Sequence, residues 1–458
     1  MPASPHSTSL RLVLIGLSLG YFMVLFDTTA LTVALPDVAR DLGSGVQGLA
    51  WVTDAYTLTF AGCLLAGGVL ADRRGADRTF LAGLACFGVF SLACAGAPST
   101  GTLVVARALL GVAGALLLPA SLSLIAALYD TPARRATAIA AWASISGSAL
   151  AAGPLLGGAL VAGLGWRGIF LVNAPVAVLA AVLLRERLPA AHRRASHVEA
   201  RGQLAVLLAV AALTWALIRG GAEGATRDVV AALVIAALFG AYAVRAERAS
   251  AVPAVPPALL KAPVLAGALF GGLVVGGALA SELFLTTLQL QEVRDLGPVL
   301  TGVAFLPLTV PMVLNPPLAG RLVARVGPAR PVLGGLVLIT VAAAALGSVP
   351  TGASYAWVAA GLALLGFGVS FTLPALTSAV VLAAPPAATG AAGGLFSVAR
   401  QTGATIGVAA ATAIIGADIG HADRGHAMTA IAAAAAAVVW RTAQRRSLAR
   451  PIALEFPS

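Results

Sequence analysis

The chain has 458 residues, of which 59% are hydrophobic and only 10% charged, with a net charge of +11. Soluble globular chains carry about 25% charged residues, so this one cannot cover a water-facing surface. The basic excess would suggest nucleic acid in a soluble protein, but here it sits in short loops between long apolar blocks, which excludes that partner.

The blocks are continuous rather than alternating. Most run about 18–25 residues, enough to cross a hydrocarbon core as helices. In chain order, spans are predicted at 12–35, 49–71, 79–97, 102–128, 136–161 and 167–184, then at 203–219 and 229–244. Six more follow at 264–290, 299–320, 331–348, 354–382, 391–417 and 425–440. The first continues past Asp27 to Leu35 and reads as a retained helix rather than a cleaved signal peptide. The last is short and rich in alanine. The expected fold is an all-α membrane protein with about fourteen transmembrane helices, two six-helix bundles plus a central pair. Its expected divisions are an N-terminal bundle at 1–185, linkers and two central helices at 186–263, and a C-terminal bundle with a short tail at 264–458.

Alternating loops distribute the basic residues unequally. With both termini inside, 21 of the 29 fall on the cytoplasmic side and 6 outside, the remaining two being Arg107 and Arg400 within spans. Basic loops face the cytoplasm, so this bias predicts a multi-pass protein of a bacterial-type inner membrane with both termini cytoplasmic. The three cysteines, Cys63, Cys86 and Cys94, lie inside apolar blocks and read as packing residues.

Two loops match each other. Gly68, Leu70, Arg73, Gly75 and Arg78 recur at the same offsets as Gly320, Leu322, Arg325, Gly327 and Arg330. Both loops follow the second span of a six-span half, which predicts two parallel repeats. Asp72 is answered by Ala324, so an ionic latch through the acid belongs to the first half alone.

These residues resemble the major facilitator superfamily, and within it the fourteen-helix drug–proton antiporters. The stretch Gly68, Asp72, Arg73, Gly75, Arg78 is similar to the superfamily's signature loop. Asp27 through Pro36, Trp51 through Tyr56, Arg107 with Gly111, and Gly153-Pro154 with Gly157-Gly158 resemble the group's successive helix motifs. Trp166-Arg167 through Asn173 and, later, Gln291, Pro298, Gly302, Pro307, Arg400 and Gln401 also fall where the group has them. Departures are Thr32, Ala149 and the Ala76-Asp77 pair, and the loop at Pro385-Pro386 lacks a basic residue. The resemblance implies a proton-coupled exporter of a lipophilic or cationic drug-like molecule, working by alternating access in multidrug efflux and antibiotic resistance. Its implied partners are a small molecule, protons and the lipid bilayer. The protein is expected to act as a monomer without a cofactor, driven by the proton gradient.

Charges inside spans are functional candidates, because each costs about 2.5–3.5 kcal/mol at a helix centre. Asp27, Asp54, Arg107 and Glu282 all lie roughly 7–14 Å from the outer surface at 1.5 Å per residue, so they are expected to share one cavity. Asp27 with Arg107 is the preferred proton-coupling pair and Glu282 the candidate in the opposite half, against the alternative of a static buried bridge. Asp54 reads equally as a structural residue near the boundary, and Arg400, in the inner half of its span, as a structural residue apart from this cluster. Gly153, Pro154, Gly157 and Gly158 predict close helix approach and a kink, hence a hinge or seal. Phe26, Tyr56, Phe284 and Phe305 are candidate cavity-lining aromatics.

Competing functions are proton symport for uptake of a metabolite and a non-transporting membrane sensor. No Walker-type phosphate loop is present, which counts against an ATP-driven pump in this chain. An enzyme is not expected, since no metal-ligand cluster is evident and His6, His192, His197, His421 and His426 fall in predicted loops.

Overall fold

A computed structural model of the chain describes residues 5–129, 131–185, 188, 200–249, 262–349, 353–384, 389–415 and 422–449. His192, His197, His421 and the Pro385-Pro386 loop lie outside the described residues. All regular structure among the described residues is helical.

The first half comprises α1 (Pro5–Leu42), α2 (Val46–Arg74), α3 (Ala76–Ala95), α4 (Thr100–Leu128), α5 (Pro132–Leu164), α6 (Arg167–Leu171) and α7 (Asn173–Leu184). Starts are set by local chemistry. The Ser99 side chain accepts the Thr102 N–H ahead of α4, and Thr131 accepts that of Arg134 ahead of α5, where Pro132 takes the first turn. α5 bends by 44° between Leu150 and Ala152. Pro154 has no N–H to offer the Leu150 carbonyl, which explains the bend.

Then come α8 (Ala200–Glu223) and α9 (Arg227–Ala249), which pack on each other. α8 also lies against α2 of the first half.

The second half opens with α10 (Pro263–Leu288), which runs into a π turn at Gln289–Val293. The single span predicted at 299–320 is instead three short helices, α11 (Pro298–Ala304), α12 (Leu306–Leu314) and α13 (Pro316–Val326). Pro307, Pro311, Pro316 and Pro317 remove four ladder donors there, and the chain breaks at Phe305 and Asn315. α14 (Ala329–Gly347), α15 (Tyr355–Ala383), α16 (Thr389–Ile415) and α17 (Ala422–Ala449) follow. α8 touches α16 as well, so the extra pair leans on the seam between the halves.

Ten of these helical segments are long and apolar enough to cross a membrane, or twelve when the two bent helices α2 and α5 are counted. The other two predicted spans are the proline-broken segment and α17. α17 is longer than the sequence suggested, at 28 residues. Its buried face repeats at helical spacing through His426, Thr429, Ala433, Ala437 and Trp440. The Trp440 indole donates to the Ala329 carbonyl at 3.1 Å, tying α17 to the start of α14.

The repeated loops share a geometry. Gly75 turns the chain from α2 into α3 with φ +99°, and Gly327 turns it from α13 toward α14 with φ +74°. Both angles are disfavoured for side chains with a Cβ, which accounts for glycine at the same offset in each copy. Arg73, Arg74 and Arg78 are exposed around the first turn, and Asp72 is half-buried. A methyl at Gly68 would make ordinary contact with Pro119, and the close approach of α2 to α4 runs through its neighbour Gly67, where a methyl would overlap the Ala115 carbonyl.

The glycines of α5 serve two interfaces. A Cβ at Gly153 or Gly157 would strike Thr29 or Ala30 of α1. One at Gly158 would strike the Pro298 carbonyl of α11, and one at Gly302 the Pro154 carbonyl of α5. The two halves therefore meet backbone to backbone at this end. Beside that contact, the Gln291 amide donates to the Val33 carbonyl at 2.8 Å, again across the halves.

Candidate functional site: a central cavity and two buried carboxylate–base pairs

Arg107 of α4 is 1% exposed and Asp27 of α1 is fully buried. Arg107 Nη1 donates to Asp27 Oδ2, and its Nε donates to the Val52 carbonyl of α2 at 3.0 Å. The guanidinium lies over the Tyr56 ring, 4.4 Å from its centroid, and Tyr56 in turn donates its hydroxyl to the Val24 carbonyl at 3.2 Å. Three helices of one half are thus tied to one cation. Arginine suits this role because its donors leave the guanidinium in a fixed fork and its charge is permanent.

Asp54 of α2 stands elsewhere. It is fully buried, and neither carboxylate oxygen has a hydrogen-bond partner. It lines a cavity between the halves together with Thr28, Thr32, Thr53 and Thr57 on one side and Leu279, Leu283, Arg400 and Gln401 on the other. The Thr405 hydroxyl donates to that of Thr57 at 2.8 Å across the cavity's wall. The cavity has about 60 Å³ of free volume. That is far below the about 300–1,000 Å³ of a drug-sized site, so the halves are drawn together here.

Glu282 of α10 points away from this cavity, toward α17. Its Oε2 lies 2.6 Å from His426 Nδ1, and both side chains are completely buried. The remaining polar atoms, Glu282 Oε1 and His426 Nε2, have no partner. Ser281 and Thr429 share a hydroxyl–hydroxyl bond of 3.1 Å beside them.

The four charges expected in one cavity are therefore divided among three places. Helical phase explains the division. Leu279, Ala280 and Leu283 occupy the cavity face of α10, which leaves Glu282 on a flank facing another helix. Arg400, read from sequence as lying apart, is a cavity residue instead. His426, read as a loop residue, sits in the second turn of a helix. A signal for it existed in the spacing of the buried face of α17.

The four candidate aromatics do not line the central cavity, where Phe60 is the aromatic wall. Tyr56 is the shelf under Arg107, and Phe284 and Phe305 are fully buried in the apolar cores. Phe26 lines a separate apolar groove between α1, α5 and α7, with a volume of about 410 Å³. Sequence reasoning also missed Asp41, whose carboxylate accepts the Trp166 indole N–H at 2.9 Å and Arg167 at 2.5 Å, closing the end of α1 onto α6.

Comparison with known proteins agrees with this architecture. The model of the Major Facilitator Superfamily matches residues 17–408. Multidrug resistance protein Stp of Mycobacterium tuberculosis is 36% identical over 89% of this chain and 76% of its own length. The methylenomycin A resistance protein of Bacillus subtilis is 33% identical over 90% of this chain and 89% of its own. The tetracenomycin C resistance and export protein of Streptomyces glaucescens is 32% identical over 89% and 76%. In fold, the chain is similar to a bacterial homologue of the human lysosomal transporter Spinster, with TM-score 0.71 and 15% identity over 98% of both chains. An auto-inhibited POT family peptide transporter gives TM-score 0.70 and 16% identity over 98% of this chain and 99% of that one. With a match over most of its length, the chain belongs to the Major Facilitator Superfamily, a family of membrane transporters rather than enzymes.

Proposed function

We propose that this chain is a proton-driven exporter of lipophilic or cationic drug-like molecules, acting as a monomer with both termini in the cytoplasm. The observation that carries it is Asp54, a buried carboxylate without a partner on the wall of the cavity between the halves. An unpaired buried charge is costly, so the site is satisfied either by a proton or by a cationic ligand. One carboxylate that takes one or the other gives exchange of the two when the cavity opens to alternate sides. The apolar walls at Leu279, Leu283 and Phe60 suit the lipophilic body of such a ligand, and the threonines its polar groups.

Asp27 with Arg107 supports the same function from behind the cavity by fixing α1, α2 and α4 against one another. The resistance and export named for the relatives at 32–36% identity point the same way. The domain divisions at 1–185, 186–263 and 264–458 belong to this proposal as two moving bundles and a central pair.

The test is antibiotic susceptibility of an efflux-deficient bacterial host expressing the wild type, Asp54→Asn or Asp27→Asn, with membrane levels measured in each. The wild type is expected to raise resistance several-fold to at least one lipophilic antibiotic. Both variants are expected to reach the membrane and lose that resistance. Full resistance with Asp54→Asn would remove the cavity carboxylate from the mechanism, and wild type without any effect would remove drug export itself.

A further inference from the structure

We propose that Glu282 and His426 form a second proton-binding site, loaded from the end of the molecule where α17 begins and separate from the path taken by substrate. The inference rests on the proposed topology, in which that end faces outward, toward the side that supplies protons.

The geometry has four parts. First, the two groups form one unit, with Glu282 Oε2 and His426 Nδ1 2.6 Å apart, close enough to share a proton. Such a pair gains or loses a proton as a pair, not as two separate residues. Second, histidine is the side chain whose charge changes between about pH 5 and 8, so this base, unlike an arginine, can give its proton up. Third, both outer atoms of the pair are buried and unpartnered. His426 Nε2 is therefore free to take up a proton, and Glu282 Oε1 can take part when the shared one moves. Fourth, His426 lies four residues into α17, about 6 Å below its first residue at 1.5 Å per residue.

Among the described residues, apolar and hydroxyl groups surround the pair. Around it stand Leu285 against Gly425, Gly347 of α14 against the His426 Cβ, and the Ser281–Thr429 hydroxyls. Among the ionisable groups on neighbouring helices, Arg330 of α14 stands at the opposite end of its helix, as do Arg441 and Arg445 of α17. Arg400 of α16 lines the cavity, Asp27 of α1 is bound to Arg107, and the Tyr355 hydroxyl of α15 donates to Ala304. Glu292 beyond α10 and Asp423 and Arg424 before His426 are exposed.

This placement matters because the seam at Gly158 and Pro298 closes the substrate cavity at the same end. The pair lies on the flank of α10 that faces α17, off the face that lines the cavity through Leu279, Ala280 and Leu283. A proton entering past the first turn of α17 reaches Glu282 while the cavity stays shut to larger molecules. Transfer is a plain proton movement: one proton arrives at Nε2, the shared one shifts from Nδ1 to Oε2, and the pair carries one added positive charge until a proton leaves.

The test uses the full-length protein in lipid nanodiscs, with protons as the only ligand. Infrared difference spectra between pH 5 and 8 are recorded on the wild type, His426→Gln and Glu282→Gln. A reversible carboxyl and imidazole signal is expected in the wild type. The whole signal is expected to vanish in His426→Gln; in Glu282→Gln the carboxyl band is expected to disappear and the imidazole band to move by about one pH unit, a tenfold change in proton affinity. The swapped variant Glu282→His/His426→Glu retains the pair and is expected to titrate, which assigns the signal if a single variant does not fold. A wild type whose carboxyl and imidazole bands stay constant over this range contains a static bridge, and that result overturns the proposal. The readout is independent of export, so a chain that exports nothing but titrates here loses only the function proposed above.

Discussion

In the first half a buried carboxylate is held by an arginine, and in the second by a histidine. Asp27 and Glu282 are both fully buried on helices that run beside the central cavity, and each touches a base on a different helix. The bases differ in what they can release. Arg107 keeps its proton and spends its other contacts on Val52 and Tyr56, so its surroundings are fixed. His426 has one nitrogen in the pair and one unused, and Gly347 of α14 packs against its Cβ. On the proposals above, the first pair acts as a structural anchor and the second as a point of exchange.

That contrast can be broken by removing each base in turn. Arg107→Leu is expected to have the largest effect, about 3–5 kcal/mol of lost stability, because it strands Asp27 as a buried charge. Thermal unfolding in detergent measures it, and Arg107→Lys should recover little, since an ammonium cannot span Asp27, Val52 and the Tyr56 face together. His426→Gln is expected to cost less, about 1–3 kcal/mol, because the glutamine amide can still offer Glu282 a hydrogen bond. Equal losses in the two variants would erase the distinction between anchor and exchange point. Thr429→Val is expected to cost least, about 0.5–1.5 kcal/mol, through its bonds to Ser281 and the Gly425 carbonyl. A larger loss than His426→Gln would mean that the hydroxyl pair, not the carboxyl–imidazole pair, holds α17.

The large-scale plan could be read from the sequence because lipid imposes it. Apolar length, loop charge and the matched turns at Gly75 and Gly327 are each set by a single physical demand, and each is visible one residue at a time. The meeting of Asp27 with Arg107 was legible for the same reason, since two charges buried in one bundle must find each other. What the sequence did not disclose was direction. Depth along a helix follows from counting, but the face a residue turns to depends on how neighbouring helices are rotated. Hence Asp27, Asp54 and Glu282 looked like companions and are not. Arg400 looked remote and stands on the cavity wall. His426 was missed because alanine gives a weak apolar signal, which shortened the predicted helix and put the histidine at its edge. The prolines of 298–317 were visible, but whether they kink a span or divide it depends on the partners offered by α5 and α15.

The seam at Gly158 and Gly302 is reciprocal: each half offers one glycine hydrogen face and one proline carbonyl to the other. Contact of this kind fades within a fraction of an ångström, since a gap of about 0.5–1 Å already forfeits a quarter to a half of the attraction. With both contacts sharing one rigid pair of backbones, neither can yield while the other holds. The closure at this end is therefore expected to open as one step rather than by degrees, which would leave few intermediate openings through which protons or ions could slip.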